Sequence, residues 1–327
     1  MKTISKDIGI IIENARKQAV TQINTIMVKA YWEIGRKIVE EEQKGEIKAE
    51  YGKGLLKELS KELTKQYGKG FSLSNLKDMK KLYILFPKSQ TLSGLLGWSH
   101  YCTLLRIEDK IKRNFYIKEI ESQNWSVREL QRQINSALFE RIALSRDRRG
   151  VIELSKKGQV IESGKDLIKD PFIFEFLGLD GIEKLSESDL EQKLIDNLQK
   201  FILELGKGFS FVSRQEKIIL DSTYFYIDLV FYNRFLKCFV IFELKVGELK
   251  HEHLGQLQMY VNYYDRKVKS PEENKTIGIL LCLDKKEQVV EYSLPLDNDQ
   301  LFASRYKLYL PDKKELEEKV REVLKEG

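Results

Sequence analysis

Three consecutive segments rich in β-branched and aromatic residues lie in the second half of the chain, and they restrict the fold more than any other feature. They cover residues 209–220, 224–232 and 237–245 and predict three neighbouring strands. A helix with apolar periodicity precedes them and ends at Gly206. A helix at about residues 251–264 and a buried strand at 276–283 follow. The order of helix, three strands, helix and strand predicts an α/β domain.

Charged residues interrupt two of these otherwise apolar strands. Asp228 lies within YFYIDLVFY, and Glu243 and Lys245 lie within KCFVIFELK. Because side chains alternate along a strand, Glu243 and Lys245 point to the same face. Burial of an unpaired charge is costly, so all three side chains require partners.

Pairing of the two strands would bring Asp228 and Glu243 together near one edge of the sheet. Two carboxylates repel each other unless a cation lies between them, and Mg²⁺ binds carboxylate oxygens and water. Lys245 would then orient a metal-bound water, or help to deprotonate it, for attack on phosphorus. The alternative is a buried salt bridge between an acid and Lys245 without a metal.

Glu191 lies near the start of the preceding helix, and its carboxylate has two possible roles. The pattern Ser188-x-x-Glu191 is that of a capping box, in which the two side chains satisfy end amides of the helix. The same carboxylate could instead reach the water shell of the metal.

The charge of the chain divides unequally between its halves. Residues 1–150 contain 29 Lys and Arg against 18 Asp and Glu, a net charge of +11, whereas residues 151–327 have a net charge of −5. The length of 327 residues suits about two domains. We therefore predict a basic domain at 1–150 and a second domain at 151–327, with residues 145–165 as the connection. A basic half favours binding to a polyanion, although chance surface composition would give the same numbers.

The basic half is predicted to be helical. Apolar residues at helical spacing predict a long helix over residues 8–42, whose apolar stripe either packs in a core or pairs with a second copy as a homodimer. Two further helices joined by the turn YGKGF at residues 67–71 have the outline of a helix-turn-helix, which many αα-hairpins share. The outer face of the second of these helices presents Asn75, Lys77, Lys80 and Lys81 as candidate DNA contacts.

A second basic cluster precedes the predicted connection. It either contacts phosphates or forms a solvated face, and consists of Arg141, Arg146, Arg148 and Arg149. The sequence has no apolar run long enough to suggest a membrane span, and its first 18 residues lack a secretory pattern, so we expect a cytoplasmic protein without a membrane partner.

Asp228 followed by Glu243-Leu244-Lys245 resembles the motif of the PD-(D/E)XK nucleases, and the predicted order of elements is similar to the core of their fold. Gln256 and Tyr260 resemble the Gln-x-x-x-Tyr element of many such enzymes. Nearly the whole chain resembles the YhcG-like bacterial family, which joins a helical DNA-binding domain to such a nuclease domain. The matching stretches are GWSHYCTLLRIED, NWSVRELQRQI, FILELGKGFSFVSRQ, YIDLVFYNRFLKC and ELKVGELKHEHLGQLQMYVNYYD.

The resemblance implies an all-α, helix-turn-helix-like N-terminal domain followed by an α/β restriction-endonuclease-like domain. It implies that Asp228, Glu243 and the carbonyl of Leu244 bind Mg²⁺, with Mn²⁺ as an alternative, and that Lys245 positions and activates the water. Glu191 would lie in the outer shell of the metal, Gln256 would contact the scissile phosphate or a water, and Tyr260 would support Gln256. Gln215 lies in a matching segment with an open role. The Pro of the motif is Ile227 here.

These observations predict a Mg²⁺-dependent DNA endonuclease or DNA-processing enzyme that acts in defence, restriction or recombination. An RNA-directed nuclease remains open, because the chemistry does not distinguish the sugar. The competing hypothesis is a non-catalytic nucleic-acid-binding or complex-assembly protein. In that protein Asp228, Glu243 and Lys245 would form a structural ion-pair cluster.

Overall fold

The computed structural model describes residues 2–44, 49–144, 146–179 and 186–325. The chain forms two compact units, Met1–Gln131 and Arg132–Gly327. The boundary at residue 150 stays a prediction, and the division into compact units falls earlier in the chain. The reason is that residues soon after Gln131 take part in the second unit: Arg132 and Arg141 both form ion pairs with Glu204.

The first unit is helical, as the sequence predicted. Its core lies where α1 packs against α2 and α3 and includes Ile38, Leu56, Leu76 and Met79. Gly35 permits the close approach of α1 to α3, because a Cβ atom there would lie 2.1 Å from the carbonyl oxygen of Met79. The helices are α1 (Lys2–Lys44), α2 (Ala49–Tyr67), α3 (Leu73–Leu85), α4 (Trp98–Leu104) and α5 (Lys110–Gln123), and α6 (Val127–Asn135) includes the boundary between the units.

The burial of apolar side chains on the long first helix, α1, differs between its N-terminal and C-terminal halves. Its C-terminal half is anchored by the buried residues Val28, Trp32 and Ile38, and the indole of Trp32 donates to the carbonyl of Phe86 at 2.6 Å. Its N-terminal half exposes a set of aliphatic side chains: Ile4, Ile8, Ile10, Ile11 and Ile12. A core stripe therefore accounts for the second half of the helix, and homodimerisation through the first half stays a prediction.

The predicted helical hairpin is present in α2 and α3, which are joined by a short 3₁₀ turn, Lys69–Phe71. Gly68 adopts a φ of +89° at the end of α2, a conformation that glycine adopts readily. Ser72 caps α3 by accepting from the amide of Asn75 at 3.3 Å.

The second unit is built on a mixed sheet, which confirms the predicted α/β class. In the described part of the chain the strand order is β1-β6-β5-β4-β3-β2. The strands are β1 (Phe172–Ile173), β2 (Phe209–Leu220), β3 (Thr223–Asn233), β4 (Cys238–Glu248), β5 (Ile277–Asp284) and β6 (Leu301–Lys307). β3 pairs antiparallel with β2 and with β4. The β4–β5, β5–β6 and β6–β1 pairs are parallel.

Helices cover both faces of this sheet. One core joins it to Leu190, Leu194 and Phe201, and the other joins it to Leu257 and Tyr260. The helices are α7 (Leu138–Ala143), α8 (Arg148–Lys157), α9 (Glu187–Asp196), α10 (Leu198–Leu205), α11 (His251–Tyr263), α12 (Glu287–Ser293) and α13 (Lys313–Lys325). α8 occupies much of residues 145–165, the segment that the sequence predicts as the connection between domains, and that role stays a prediction. The apolar pair Val151 and Leu154 anchors that helix.

A buried ion-pair cluster surrounds Glu204 at the end of α10. The guanidinium of Arg141 lies 2.6 Å from its carboxylate with both side chains fully buried, and Arg132 approaches the same carboxylate at 3.2 Å. The amide of Ile173 in β1 also donates to it at 3.0 Å. The prediction that Arg141 contacts phosphate is therefore wrong, because its guanidinium is buried in the second unit and pairs there with the Glu204 carboxylate.

Candidate active site

The ladder between β3 and β4 brings the two predicted metal ligands to the same level of the sheet. Leu229 pairs with Phe242, so Asp228 precedes one member of this pair and Glu243 follows the other. The side chain of Asp228 accepts from the backbone amide of Leu244 at 2.8 Å. The Asp228 carboxylate is thus held by the backbone of β4, at the residue that follows Glu243.

Burial makes both carboxylates difficult to ionise. Burial and the nearby Asp228 carboxylate raise the pKa of Glu243 to about 8. Burial also raises the pKa of Asp228 to about 6, although the amide of Leu244 opposes this change. The Glu243 side chain is only 2% exposed, and its Oε2 atom has no hydrogen-bond partner in the described structure. This unsatisfied oxygen is the feature that a cation would stabilise.

Lys245 lies on the same face of β4 as Glu243, as strand alternation predicted. Its ammonium is 3.2 Å from Glu243 Oε1 and 2.9 Å from Glu187 Oε2. Burial alone would lower its pKa, but the two carboxylates outweigh this effect and raise it. Lys245 therefore carries a positive charge here, which suits orientation and charge stabilisation better than proton abstraction.

The sequence patterns did not identify Glu187, the second carboxylate that pairs with Lys245, as a site residue. It lies in the first turn of α9. The helix begins two residues earlier than the Ser188 pattern suggested: Ser186 is the N-cap, and its side chain accepts from the amide of Asp189 at 3.1 Å. The interpretation of Glu191 as a helix cap is therefore wrong. Because the N-cap is Ser186, Glu191 lies in the second turn and faces the sheet.

Glu191 is buried and is held by two consecutive residues of β2. Arg214 Nε lies 2.6 Å from its Oε1 atom, and the amide of Gln215 donates to its Oε2 atom. The same amide nitrogen of Gln215 donates to Asp228 Oδ1 at 3.2 Å. Gln215 thus links the predicted outer acid to the predicted metal ligand, a connection that the sequence did not reveal.

Gln256 and Tyr260 form a linked pair one turn apart on α11. The amide of Gln256 donates to the Tyr260 hydroxyl at 2.6 Å, and that hydroxyl donates to the carbonyl of Tyr226 in β3 at 3.1 Å. Burial raises the pKa of Tyr260, and the nearby Glu243 and Asp228 carboxylates act in the same direction. This geometry agrees with a supporting role of Tyr260 for Gln256, which stays a prediction.

The residues present fit a hard divalent cation. Among the described residues, no group of three or more His, Cys, Asp or Glu side chains could hold a metal. Mg²⁺ usually takes only one or two protein carboxylates and completes its shell with other oxygens and water. Asp228 and the unsatisfied Oε2 of Glu243 meet that requirement. The Leu244 carbonyl stays a predicted third ligand, and the contact that Leu244 makes with Asp228 is through its amide.

The residues predicted to contact nucleic acid differ in solvent exposure and in their pairing within the chain. Lys77, Arg148 and Arg149 are exposed, and Lys81 is half-buried. The others have partners within the chain: Lys80 pairs with Glu42, Arg146 with Asp166, and the Asn75 amide donates to the carbonyl of Gly70. The exposed members are therefore the stronger candidates for phosphate contacts, which remain predictions.

Within the ranges that the structure describes, no helix is both long enough and apolar enough to span a bilayer.

Comparison with known proteins matches both parts of the chain. Residues 165–321 match the YhcG PDDEXK nuclease domain, and residues 7–141 match the DUF1016 N-terminal domain. The protein named "Putative nuclease YhcG" of Escherichia coli (strain K12) is 37% identical over 352 residues, which cover 97% of this chain and 93% of that protein.

Two solved structures also show similarity, each over about half of its own length. A repair endonuclease from Pyrococcus abyssi has a TM-score of 0.27 and 19% identity over 39% of this chain and 49% of that one. The EndoMS–dsDNA2 complex has a TM-score of 0.28 and 18% identity over 41% of this chain and 51% of that one. The full-length sequence relationship and the two domain matches establish that the chain belongs to the YhcG family of PDDEXK nucleases.

Proposed function

We propose that this protein is a Mg²⁺-dependent nuclease that hydrolyses DNA phosphodiester bonds at the site formed by Asp228, Glu243 and Lys245. The observation that carries the proposal is the buried, hydrogen-bond-deficient Oε2 of Glu243 beside Asp228. Buried polar atoms are nearly always paired, and an unpaired one in a native structure often indicates an absent ion or water.

Charge balance favours this proposal over a structural ion-pair cluster. Among the residues that the structure describes, four carboxyl groups meet here, those of Glu187, Glu191, Asp228 and Glu243, and the cations in contact with them are Lys245 and Arg214. A purely structural cluster would be expected to balance its charges, because an uncompensated buried charge destabilises the fold. The surplus of carboxyl groups over cations suits a site that a divalent cation completes, because the cation would hold Asp228 and Glu243 in their ionised forms.

Each residue then has a distinct task in hydrolysis. Asp228 and Glu243 would hold the cation, which supplies Lewis-acid polarisation of the phosphate and a more acidic bound water. Lys245 would orient the attacking water and stabilise the negative charge that develops on the phosphate. Gln256 would contact the phosphate or a water, and Tyr260 would fix the orientation of Gln256. Glu191 would support Asp228 through Gln215.

The decisive assay incubates the purified protein with duplex, nicked, branched and single-stranded DNA, and with RNA of matched sequence, in Mg²⁺, Mn²⁺ or EDTA. We expect DNA to be cut with either metal and to stay intact in EDTA. Lys245→Ala and Asp228→Ala should each reduce the rate by at least about 100-fold. Equal cleavage by the parent and these variants would reject the site, and cleavage of RNA alone would reject the DNA assignment.

The basic hairpin should contribute to DNA affinity through phosphate contacts. Lys77→Ala removes an exposed cation of α3, so we expect weaker binding and a slope of log K against log salt concentration that is less negative by about 0.9. Lys80→Ala is the matched control, because its ammonium is already paired with Glu42. Fluorescence anisotropy of labelled duplex DNA at several salt concentrations measures both slopes. An unchanged slope for Lys77→Ala would contradict the contact.

A further inference from the structure

Two consecutive residues of β2 reach the same carboxylate, which a regular strand does not allow. Arg214 Nε lies 2.6 Å from Glu191 Oε1, and Gln215 donates to Glu191 Oε2. Successive side chains of a strand normally point to opposite faces of the sheet. The exception is explained by the backbone of Gln215, which has a φ of +46°.

This left-handed conformation is local and unfavourable for a residue with a side chain. Pairing of β2 with β3 continues on both sides of it, with Arg214 opposite Leu229 and Glu216 opposite Ile227. A non-glycine residue with positive φ persists only when its surroundings hold it, and such residues are concentrated at functional sites. Glycine would adopt the same conformation without strain, so the glutamine side chain must bring a benefit that glycine lacks.

Core packing does not provide that benefit, because Gln215 is exposed. Its side-chain amide donates to two carboxylates, those of Glu191 and Asp228. A primary amide has two hydrogens to donate and no charge. It can therefore hold both acids without neutralising the negative charge that attracts a cation, which a lysine or arginine at this position would reduce.

The orientation of Asp228 is fixed from two strands at once. Its Oδ1 atom accepts from Gln215 of β2 at 3.2 Å, and its Oδ2 atom accepts from the backbone amide of Leu244 in β4 at 2.8 Å. Each oxygen keeps a second lone pair for a further partner. Donors that orient a ligating carboxylate typically change metal affinity or activity by about 10- to 100-fold when removed.

We propose that Gln215 is a positioning residue of the nuclease site, held in a strained backbone conformation so that its amide fixes the carboxylates of Asp228 and Glu191 for binding of a divalent cation. The inference rests on the proposed function and extends it to a residue outside the Asp, Glu and Lys of the motif.

Two substitutions separate the role of the amide from that of the backbone. Gln215→Ala removes the amide and keeps the strain, whereas Gln215→Gly removes both. We expect both variants to bind Mg²⁺ about 10- to 100-fold more weakly by isothermal titration calorimetry and to lose a similar factor in kcat with little change in the KM for DNA. In EDTA, Gln215→Gly should have a melting temperature equal to or above that of the parent and above that of Gln215→Ala.

Lys217→Ala is the matched control, because it removes an exposed side chain of β2 whose ammonium lies over the Tyr224 ring. Its Mg²⁺ affinity should change by less than about 3-fold. Parent-like Mg²⁺ affinity and kcat in both Gln215 variants would overturn the inference while leaving the proposed function intact. A fall in melting temperature of Gln215→Gly that accounts for its loss of activity would also overturn it, since the residue would then be structural. A parent protein that binds no Mg²⁺ and cuts no nucleic acid would reject the proposed function itself.

Discussion

Replacement of Glu243 by Gln is expected to reduce DNA cleavage by at least about 100-fold and, at the same time, to stabilise the metal-free protein by about 1–3 kcal/mol. Activity should fall because the variant loses a charged oxygen ligand for the cation. Stability should rise because Glu243 is almost fully buried, and its carboxylate lies close to Asp228 and has an oxygen without a hydrogen bond to any described residue. Gln has nearly the same shape and carries no charge.

The two effects are measured separately. Cleavage of DNA in Mg²⁺ gives the rate, and chemical denaturation in EDTA, followed by far-ultraviolet circular dichroism, gives the free energy of unfolding. Glu153→Gln is the control, because the Glu153 side chain on α8 is 44% exposed and pairs with Lys156 and Lys157 on the surface, so that both quantities should stay nearly unchanged. A Glu243→Gln protein that is less stable than the parent would show that the carboxylate is structurally satisfied, as the non-catalytic hypothesis requires.

The charged residues of the site could be predicted because their signal is local. An acid in each of two apolar strands, with a lysine two residues after the second, is visible in the sequence alone, and the β3–β4 pairing brings the two acids to the same level as expected. The strands β3 and β4 were equally predictable, because both are rich in β-branched and aromatic residues.

Glu187 and the bridging role of Gln215 could not be predicted in the same way. Glu187 reaches Lys245 because α9 begins after Ser186, whereas the competing Ser188-x-x-Glu191 pattern shifts the expected start of the helix by two residues. Gln215 bridges two acids because of one positive φ angle. Polar residues are common at helix starts and on exposed strands. The sequence around Glu187 and Gln215 therefore gives no sign that either residue has a special role.

Arg141 illustrates the opposite error, in which a sequence pattern suggests more than the fold allows. It belongs to a run of arginines that reads as a basic surface, yet its partner Glu204 is 63 residues away and both side chains are buried. A long-range ion pair leaves no local signal. The exposed Arg148 and Arg149 of the same run show that neighbours in sequence can have opposite environments.

Glu204→Gln is expected to destabilise the second unit by about 3–5 kcal/mol near pH 7, the reverse of the result for Glu243. Arg141 and Arg132 pair with the Glu204 carboxylate, and removal of its charge leaves these cations without compensation. Glu175→Gln is the matched control. Glu175 also pairs with Arg132, but its side chain is 21% exposed, so we expect a loss of about 1 kcal/mol or less.

The dependence on pH gives a second, independent test of this cluster. Burial alone would raise the pKa of Glu204, but Arg141, Lys169 and Arg132 outweigh it and lower the pKa to about 2. Because the folded value lies below the ordinary value of 4.5, the stabilisation is fully present above about pH 5 and is lost as the pH falls toward 2. The difference in free energy of unfolding between the parent and Glu204→Gln should therefore shrink over that range.

The measurement must report on the second unit, and tryptophan fluorescence does not, because Trp32, Trp98 and Trp125 all lie in the first unit. Hydrogen exchange of peptides from α10 and β1, measured between pH 5 and 8 and combined with circular dichroism at lower pH, follows the relevant segments. A variant with parent-like protection in these peptides would mean that Arg141 and Arg132 find other partners. A difference that grows as the pH falls would contradict the lowered pKa of Glu204, since a carboxylate that is already protonated has little charge left to lose.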